Sequence, residues 1–235
     1  MSRSIALGCS AFAVTLIAIL LFLVLSKDSR AQSPPGEPKG APSGIIIVAF
    51  GDSLTQGHVL SEKDAYPAQL EGKLMAEGLG VKVINAGVNG ETSSGALSRL
   101  QWILKLKPDI VILETGANDG FRGIKPELIE RNIREIVRIL KENGVTVVLA
   151  GMQMLSNLGE EYTAAFKAVY PRVAQDQALI LIPFFLEGVA GEPGLNLPDG
   201  IHPTAEGHRM VADHVFPFVM EAVTRIHGKG ANDAQ

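Results

Sequence analysis

Five short runs of Ile, Val and Leu, too brief for helices and too uniformly apolar for half-exposed strands, constrain this chain most. They are Ile45–Phe50, Val81–Ile84, Ile110–Leu113, Val145–Ala150 and Leu179–Ile182. Near-continuous apolar runs of this length suit strands covered on both faces, as in a parallel sheet. Helical patterns fill the gaps. Pro67–Glu77 carries Leu70 and Leu74 between a proline start and Gly78. Ser93 and Ser94 can cap a helix bearing Leu97, Leu100 and Leu104. Pro126 opens the clearest pattern, with Ile129, Ile133, Ile136, Val137 and Leu140 on one stripe. Tyr162, Phe166, Val169 and Val173 mark a fourth, and a last one starts near Thr204 with a kink or break expected at Pro217.

Strand runs alternating with helices imply an α/β chain, a three-layer α/β/α sandwich around a five-stranded parallel sheet. Such a sheet places its site outside the carboxyl ends of its strands. Polar, glycine-bearing segments stand at those ends. The first run leads into Gly51-Asp52-Ser53-Leu54-Thr55, the second into Asn85-Ala86-Gly87-Val88-Asn89-Gly90, and the third into Gly116-Ala117-Asn118-Asp119-Gly120. After the fifth come Asp199-Gly200-Ile201-His202-Pro203.

These residue types fit acyl transfer. A serine hydroxyl needs a base to take its proton, and the base needs a third group to fix its tautomer. Asp199 and His202 are three apart in a turn, close enough for the carboxylate to hold Nδ1–H and leave Nε2 facing Ser53. The Ser53 N–H, the Gly87 N–H and the Asn118 amide are candidate donors to the oxyanion. Gly87, lacking a Cβ, would let substrate approach closely. Read singly, Ser53 could be only a helix N-cap, Gly90 a turn glycine and Asp119 a turn residue. Phe121, Met152, Met154, Leu155, Phe184 and Phe185 gather in the same loops. Phe121 and Met154 are the foremost candidates for contact with an acyl chain.

Gly51-Asp52-Ser53-Leu54, Gly87 within Asn-Ala-Gly, Gly-x-Asn118-Asp and Asp199-x-x-His202-Pro resemble, in order, the four signature blocks of the SGNH (GDSL) hydrolases. The nearest likeness is to the bacterial arylesterase, thioesterase I and lysophospholipase L1 group. It extends to Asn118-Asp119-Gly120-Phe121-Arg122-Gly123, Tyr162-x-x-Ala165-Phe166, Tyr170-Pro171 and Pro183-Phe184-Phe185, and covers roughly residues 45–219. The resemblance implies a flavodoxin-like strand order 2-1-3-4-5, a Ser53–Asp199–His202 triad and an oxyanion hole of Ser53, Gly87 and Asn118. It also implies hydrolysis of carboxylic esters or thioesters through an acyl-enzyme, without metal or organic cofactor. Ala117 departs from the group, which usually has glycine there.

Other chemistries fit less well. His208 and His214 follow His202 at intervals of six, about 600° of helix, so they share no face for a metal. The glycines from Gly51 to Gly57 match neither a dinucleotide fingerprint nor a phosphate loop. No Gly-x-Ser-x-Gly elbow occurs, which argues against an α/β-hydrolase. A formal net charge of −4 gives no footprint for nucleic acid. A carbohydrate esterase removing acetyl groups and a catalytically silent binding domain stay open as alternatives.

The chain outside the hydrolase domain, residues 45–226, reads as leader, linker and tail. Ile5–Leu25 is a nearly unbroken apolar run of 21 residues, preceded by Arg3 and closed by Lys27, Asp28 and Arg30. Its length suits a signal anchor, whereas Ser29-Arg30-Ala31 resembles a cleavage site. Residues 1–31 are therefore a signal peptide or signal anchor, residues 32–44 a proline- and glycine-rich linker, and residues 227–235 a flexible tail. Cys9, the only cysteine, lies near the start of the apolar run instead of following it as a lipoprotein site would, and no disulfide framework is possible within the chain. Export to the periplasm or beyond is expected, with residues 5–25 as a possible membrane tether. An uncleaved anchor would keep the protein with membranes through a high-salt wash, because buried hydrocarbon is insensitive to screening. A soluble form whose N-terminus lies near Gln32 would decide for cleavage.

Overall fold

The computed structural model describes residues 44–232. The leader, the linker before Gly44 and the last three residues of the tail lie outside the described residues. Five parallel strands, β1 (Ile45–Gly51), β2 (Val81–Gly87), β3 (Ile110–Glu114), β4 (Thr146–Ala150) and β5 (Ile180–Ile182), form one sheet in the order β2-β1-β3-β4-β5. That is the strand order the resemblance implied. Central strands β3 and β4 are buried along their whole length, which is why their sequences do not alternate. Edge strand β2 is only partly covered. Its Val83 N–H donates to the Glu71 carboxylate at 2.6 Å, so an edge amide that could recruit another chain is satisfied internally.

The helices are α1 (Ser53–Gln56), α2 (Tyr66–Ala76), α3 (Ser93–Lys105), α4 (Ala117–Phe121), α5 (Pro126–Glu142), α6 (Glu160–Gln177) and α7 (Ala205–Asn232). Two packed sets cover the sheet: α2 with α7, and α3 with α5 and α6. The stripe read on α5 is the buried one; Ile129, Ile133, Ile136, Val137 and Leu140 are all fully covered. Register aligns the carboxyl ends: Gly51 stands opposite Gly87 and Glu114 opposite Ala150. The segments after β1, β2 and β3 therefore emerge along one edge of the sheet.

Three local expectations need correction. The cap of α3 is Thr92, whose Oγ1 accepts the Gly95 N–H, and not Ser93 or Ser94. Ser93 is buried and points its N–H and Oγ–H at the Asp119 carboxylate, each at 2.7 Å. Asp119 is accordingly no mere turn residue. With Asn132 Nδ2 donating to both Ser93 Oγ and Ser94 Oγ, it ties α4 to α3 and α5. Pro217 does not end α7, which runs through it and beyond Ile226 into the expected tail. A mid-helix proline costs about 3 kcal/mol. Here the buried stripe Val211, Val215, Val219 and Ala222 continues on both sides of Pro217 and holds the helix in place.

Asp119→Ala should destabilise the protein by at least about 1.5–3 kcal/mol in urea unfolding, because it strands two buried donors that now bond to a carboxylate.

Candidate active site

The site begins with a glycine that cannot be anything else. A Cβ on Gly51 would overlap Thr55 Oγ1 and Glu114 Oε2. Without one, β1 can turn directly over the buried Glu114 side chain. Glu114 Oε2 accepts the Asp52 N–H at 3.1 Å and the Thr55 hydroxyl at 3.0 Å. Asp52 then caps α1, its Oδ1 accepting the Leu54 N–H at 2.9 Å. Because Asp52 takes the capping role, the Ser53 side chain is free. Burial pushes the Asp52 carboxyl up to about 6, and burial beside Asp52 raises Glu114 well above the ordinary carboxylate range.

Ser53 Oγ lies 2.9 Å from His202 Nε2, and His202 Nδ1 lies 2.8 Å from Asp199 Oδ2. With Nδ1–H donating to the carboxylate, Nε2 is the acceptor facing the serine. Asp199 also accepts two amides of its own turn through Oδ1, from Ile201 at 2.8 Å and His202 at 3.0 Å. The His202 and Ile201 amides, followed by the His202 ring, hold this carboxyl well below its usual range. The turn is pinned in its turn: Leu197 N–H donates to His202 O at 2.7 Å, and Asn196 bridges to Pro203. Gly200 takes a φ of 70°, which a side-chain-bearing residue adopts poorly.

A cavity of about 380 Å³ opens beside Ser53 and His202. Asn118 lines it, with Nδ2 donating to Asp52 Oδ2 at 2.9 Å. An amide carries two N–H donors, so one remains beyond that bond. Phe121, Met152, Met154, Leu155 and Phe184 form much of the wall. A Cβ on Gly120 would overlap Met154 Sδ, so the missing side chain there makes room for the methionine. Ala117, the departure from the group, is the buried first residue of α4 and also faces the cavity.

Gly87 is not where the sequence put it. Its N–H donates to Asn85 Oδ1 at 3.0 Å, and Gly87 does not line the Ser53 cavity. A Cβ there would overlap the Gln56 backbone and sit 2.8 Å from Asp52 O. The residue is glycine so that β2 can lie against α1, not so that substrate can approach.

Other residues at this edge went unread. Arg99 from α3 donates to Gly51 O at 3.2 Å and Ala86 O at 2.8 Å, pairs with Glu91 at 2.6 Å and covers the Phe50 ring. Tyr170 donates to Thr115 O at 2.9 Å, against Gly116. His58 stacks on the His202 ring with centroids 4.3 Å apart. Glu114 alone left a signal, as a carboxylate ending an apolar run.

A serine hydroxyl held against an imidazole at the carboxyl edge of a parallel sheet marks a serine hydrolase. Residues 49–210 match the GDSL-like Lipase/Acylhydrolase family, and the chain belongs to it. It is 33% identical to an arylesterase of Vibrio mimicus over 86% of this chain and 96% of the relative. It is 36% identical to thioesterase 1/protease 1/lysophospholipase L1 of Escherichia coli (strain K12) over 74% of this chain and 82% of that one. Among solved structures, a crystal structure of TesA superposes with a TM-score of 0.73 at 35% identity, covering 75% of this chain and 99% of that chain. The chain is thus an enzyme of the SGNH type acting on ester bonds.

Gly87→Ala should cost about 1–3 kcal/mol in urea unfolding through overpacking against α1, and should lower esterase activity because α1 carries Ser53. Gly80→Ala, where a Cβ would meet open space, should change stability by no more than about 0.5 kcal/mol.

Proposed function

We propose that this enzyme hydrolyses carboxylic esters or thioesters of uncharged aliphatic acyl groups, with Ser53, His202 and Asp199 as its triad. The observation that carries the reading is the pair of hydrogen bonds, 2.9 Å and 2.8 Å, that joins Ser53 to Asp199 through His202 at the mouth of an apolar cavity. Ser53 Oγ attacks the acyl carbon while its proton passes to His202 Nε2. Asp199, poised as a carboxylate, stabilises the imidazolium. His202 returns the proton to the departing alcohol or thiol, leaving an acyl-Ser53 ester. Water, deprotonated by the same nitrogen, then releases the acid.

Charge develops on the carbonyl oxygen in both halves of the reaction. The Ser53 N–H has no acceptor among the described residues and is one donor; the second Asn118 N–H is another. With the Gly87 N–H engaged by Asn85, the third donor is assigned to the next turn of chain, Asn89-Gly90. Its backbone N–H groups have no acceptor among the described residues, and Asn89 lines the cavity.

The cavity wall supports the substrate class. No lysine, arginine or glutamate contributes to it, and Arg122 is turned to Gly90 O at 3.0 Å. Phe121, Leu155 and Ile201 are large apolar side chains exposed at its rim, where acyl carbons would cover them. Export through residues 1–31 belongs to this proposal. Among the described residues no helix is long and apolar enough to cross a membrane.

A fluorophosphonate should label the enzyme, and Ser53→Ala should lose both label and activity. On p-nitrophenyl alkanoates, kcat/KM should rise up to about fourfold per methylene, from about 0.8 kcal/mol each, until the cavity is full. Met154→Ala should shift that break point. Labelling that survives Ser53→Ala would refute the triad, and faster turnover of acetylated sugars than of any alkanoate would assign the enzyme to carbohydrate deacetylation.

A further inference from the structure

Neither the proposed reaction nor the packing of the core employs His58. It follows α1, is half-buried, and stacks on His202 with an interplanar angle of 31°. Its Nδ1 meets Asn89 Nδ2 at 3.5 Å, at the limit of a hydrogen bond. One ligand atom each from His58, Asp199 and His202 can be chosen so that all three lie within 4.8 Å of one another. Asp199 is exposed, so an ion can reach the group from solvent.

We infer that His58, Asp199 and His202 form an inhibitory site for a divalent transition-metal ion of the zinc type. The inference rests on the triad reading. Two imidazoles and a carboxylate are a donor set for zinc, whereas magnesium and calcium select oxygen ligands. Zinc holds N and O ligands at about 2.0–2.2 Å, which sets tetrahedral ligand atoms roughly 3.3 Å apart. The Asp199–His202 pair, now at 2.8 Å, opens by about half an ångström to meet that spacing, and the His58 ring turns inward. Water completes the shell.

Such an ion stops the reaction whichever nitrogen of His202 it takes. On Nδ1 it displaces the Asp199 hydrogen bond and leaves the ring proton on Nε2, which can no longer accept from Ser53. On Nε2 it occupies the lone pair that the serine proton needs. The metal-free protein is the active form, and no covalent bond within the chain is made or broken when the ion leaves.

The test uses zinc chloride and the full-length protein. Zinc should inhibit hydrolysis of a p-nitrophenyl ester reversibly, EDTA should restore the rate, and equal magnesium or calcium should do neither. His58→Phe keeps an aromatic ring beside His202 but offers no ligand. Relative to its own metal-free rate, it should need at least about tenfold more zinc for half inhibition, since even outer-shell changes cost metal sites about 10–100-fold. Calorimetry on Ser53→Ala, which keeps all three ligands, should show one zinc per chain that disappears in Ser53→Ala/His58→Phe. Equal zinc sensitivity in wild type and His58→Phe, or zinc binding unaffected by His58→Phe, overturns the site. A protein inactive before zinc is added would instead count against the hydrolase reading, and calorimetry would still decide the metal site.

Discussion

Two carboxyl groups buried beneath the cavity organise the catalytic edge. Glu114, at the end of β3, receives the backbone of Asp52 and the hydroxyl of Thr55. Asp52 in turn receives Leu54 from α1 and Asn118 from α4. Through these four bonds the serine and the asparagine, on different crossovers, are fixed relative to one another. Burial favours the neutral form of both carboxyls, and the charge of Asp52 raises the cost of ionising Glu114. Such a network specifies geometry more than it adds stability, because the burial cost offsets much of the hydrogen-bond gain. It also explains Gly51, which a larger residue would drive into both partners.

The other half of the proposed triad is built on a different principle. Asp199 and His202 sit in an exposed turn whose shape is kept by its own backbone bonds, with little burial to help. That turn leads within two residues into α7, which packs on α2 and the sheet. Where Ser53 is set by tertiary packing under β1 and β3, the His202–Asp199 pair is set locally, so the two lie close in sequence. This contrast accounts for what the sequence made visible.

The strands were legible because central strands buried on both faces leave unbroken apolar runs, and the α5 stripe because a helix against a sheet repeats every three to four residues. The Asp199–His202 spacing was legible because it is local. Gly87 was misread because a sequence shows that a Cβ is missing but not what would have met it; here it is the backbone of Gln56. Ser93 was taken for a cap because local competition for backbone groups is the default for serine, and only the fold brings Asp119 to it. Pro217 was given the weight it has in an isolated helix, without the packed stripe that spans it. Arg99 and His58 acquire their roles from neighbours far along the chain or across the site, and nothing in their own segments announces them. The four motifs and the family likeness therefore pointed to one edge of the sheet, while the scaffolding beneath it is visible only in three dimensions.

The separation of Ser53 from His202, 149 positions along the chain, bears on how the protein is made. A ribosome delivers Ser53, then four strands, and His202 only with the final helix still to come. Chains emerge N-terminus first at about 5–20 residues per second, so Ser53 waits several seconds or more for its partner. During that interval the hydroxyl is an ordinary alcohol. On the proposed triad, the capacity to cut ester bonds arises only late in synthesis, when completion of the topology brings His202 to Ser53.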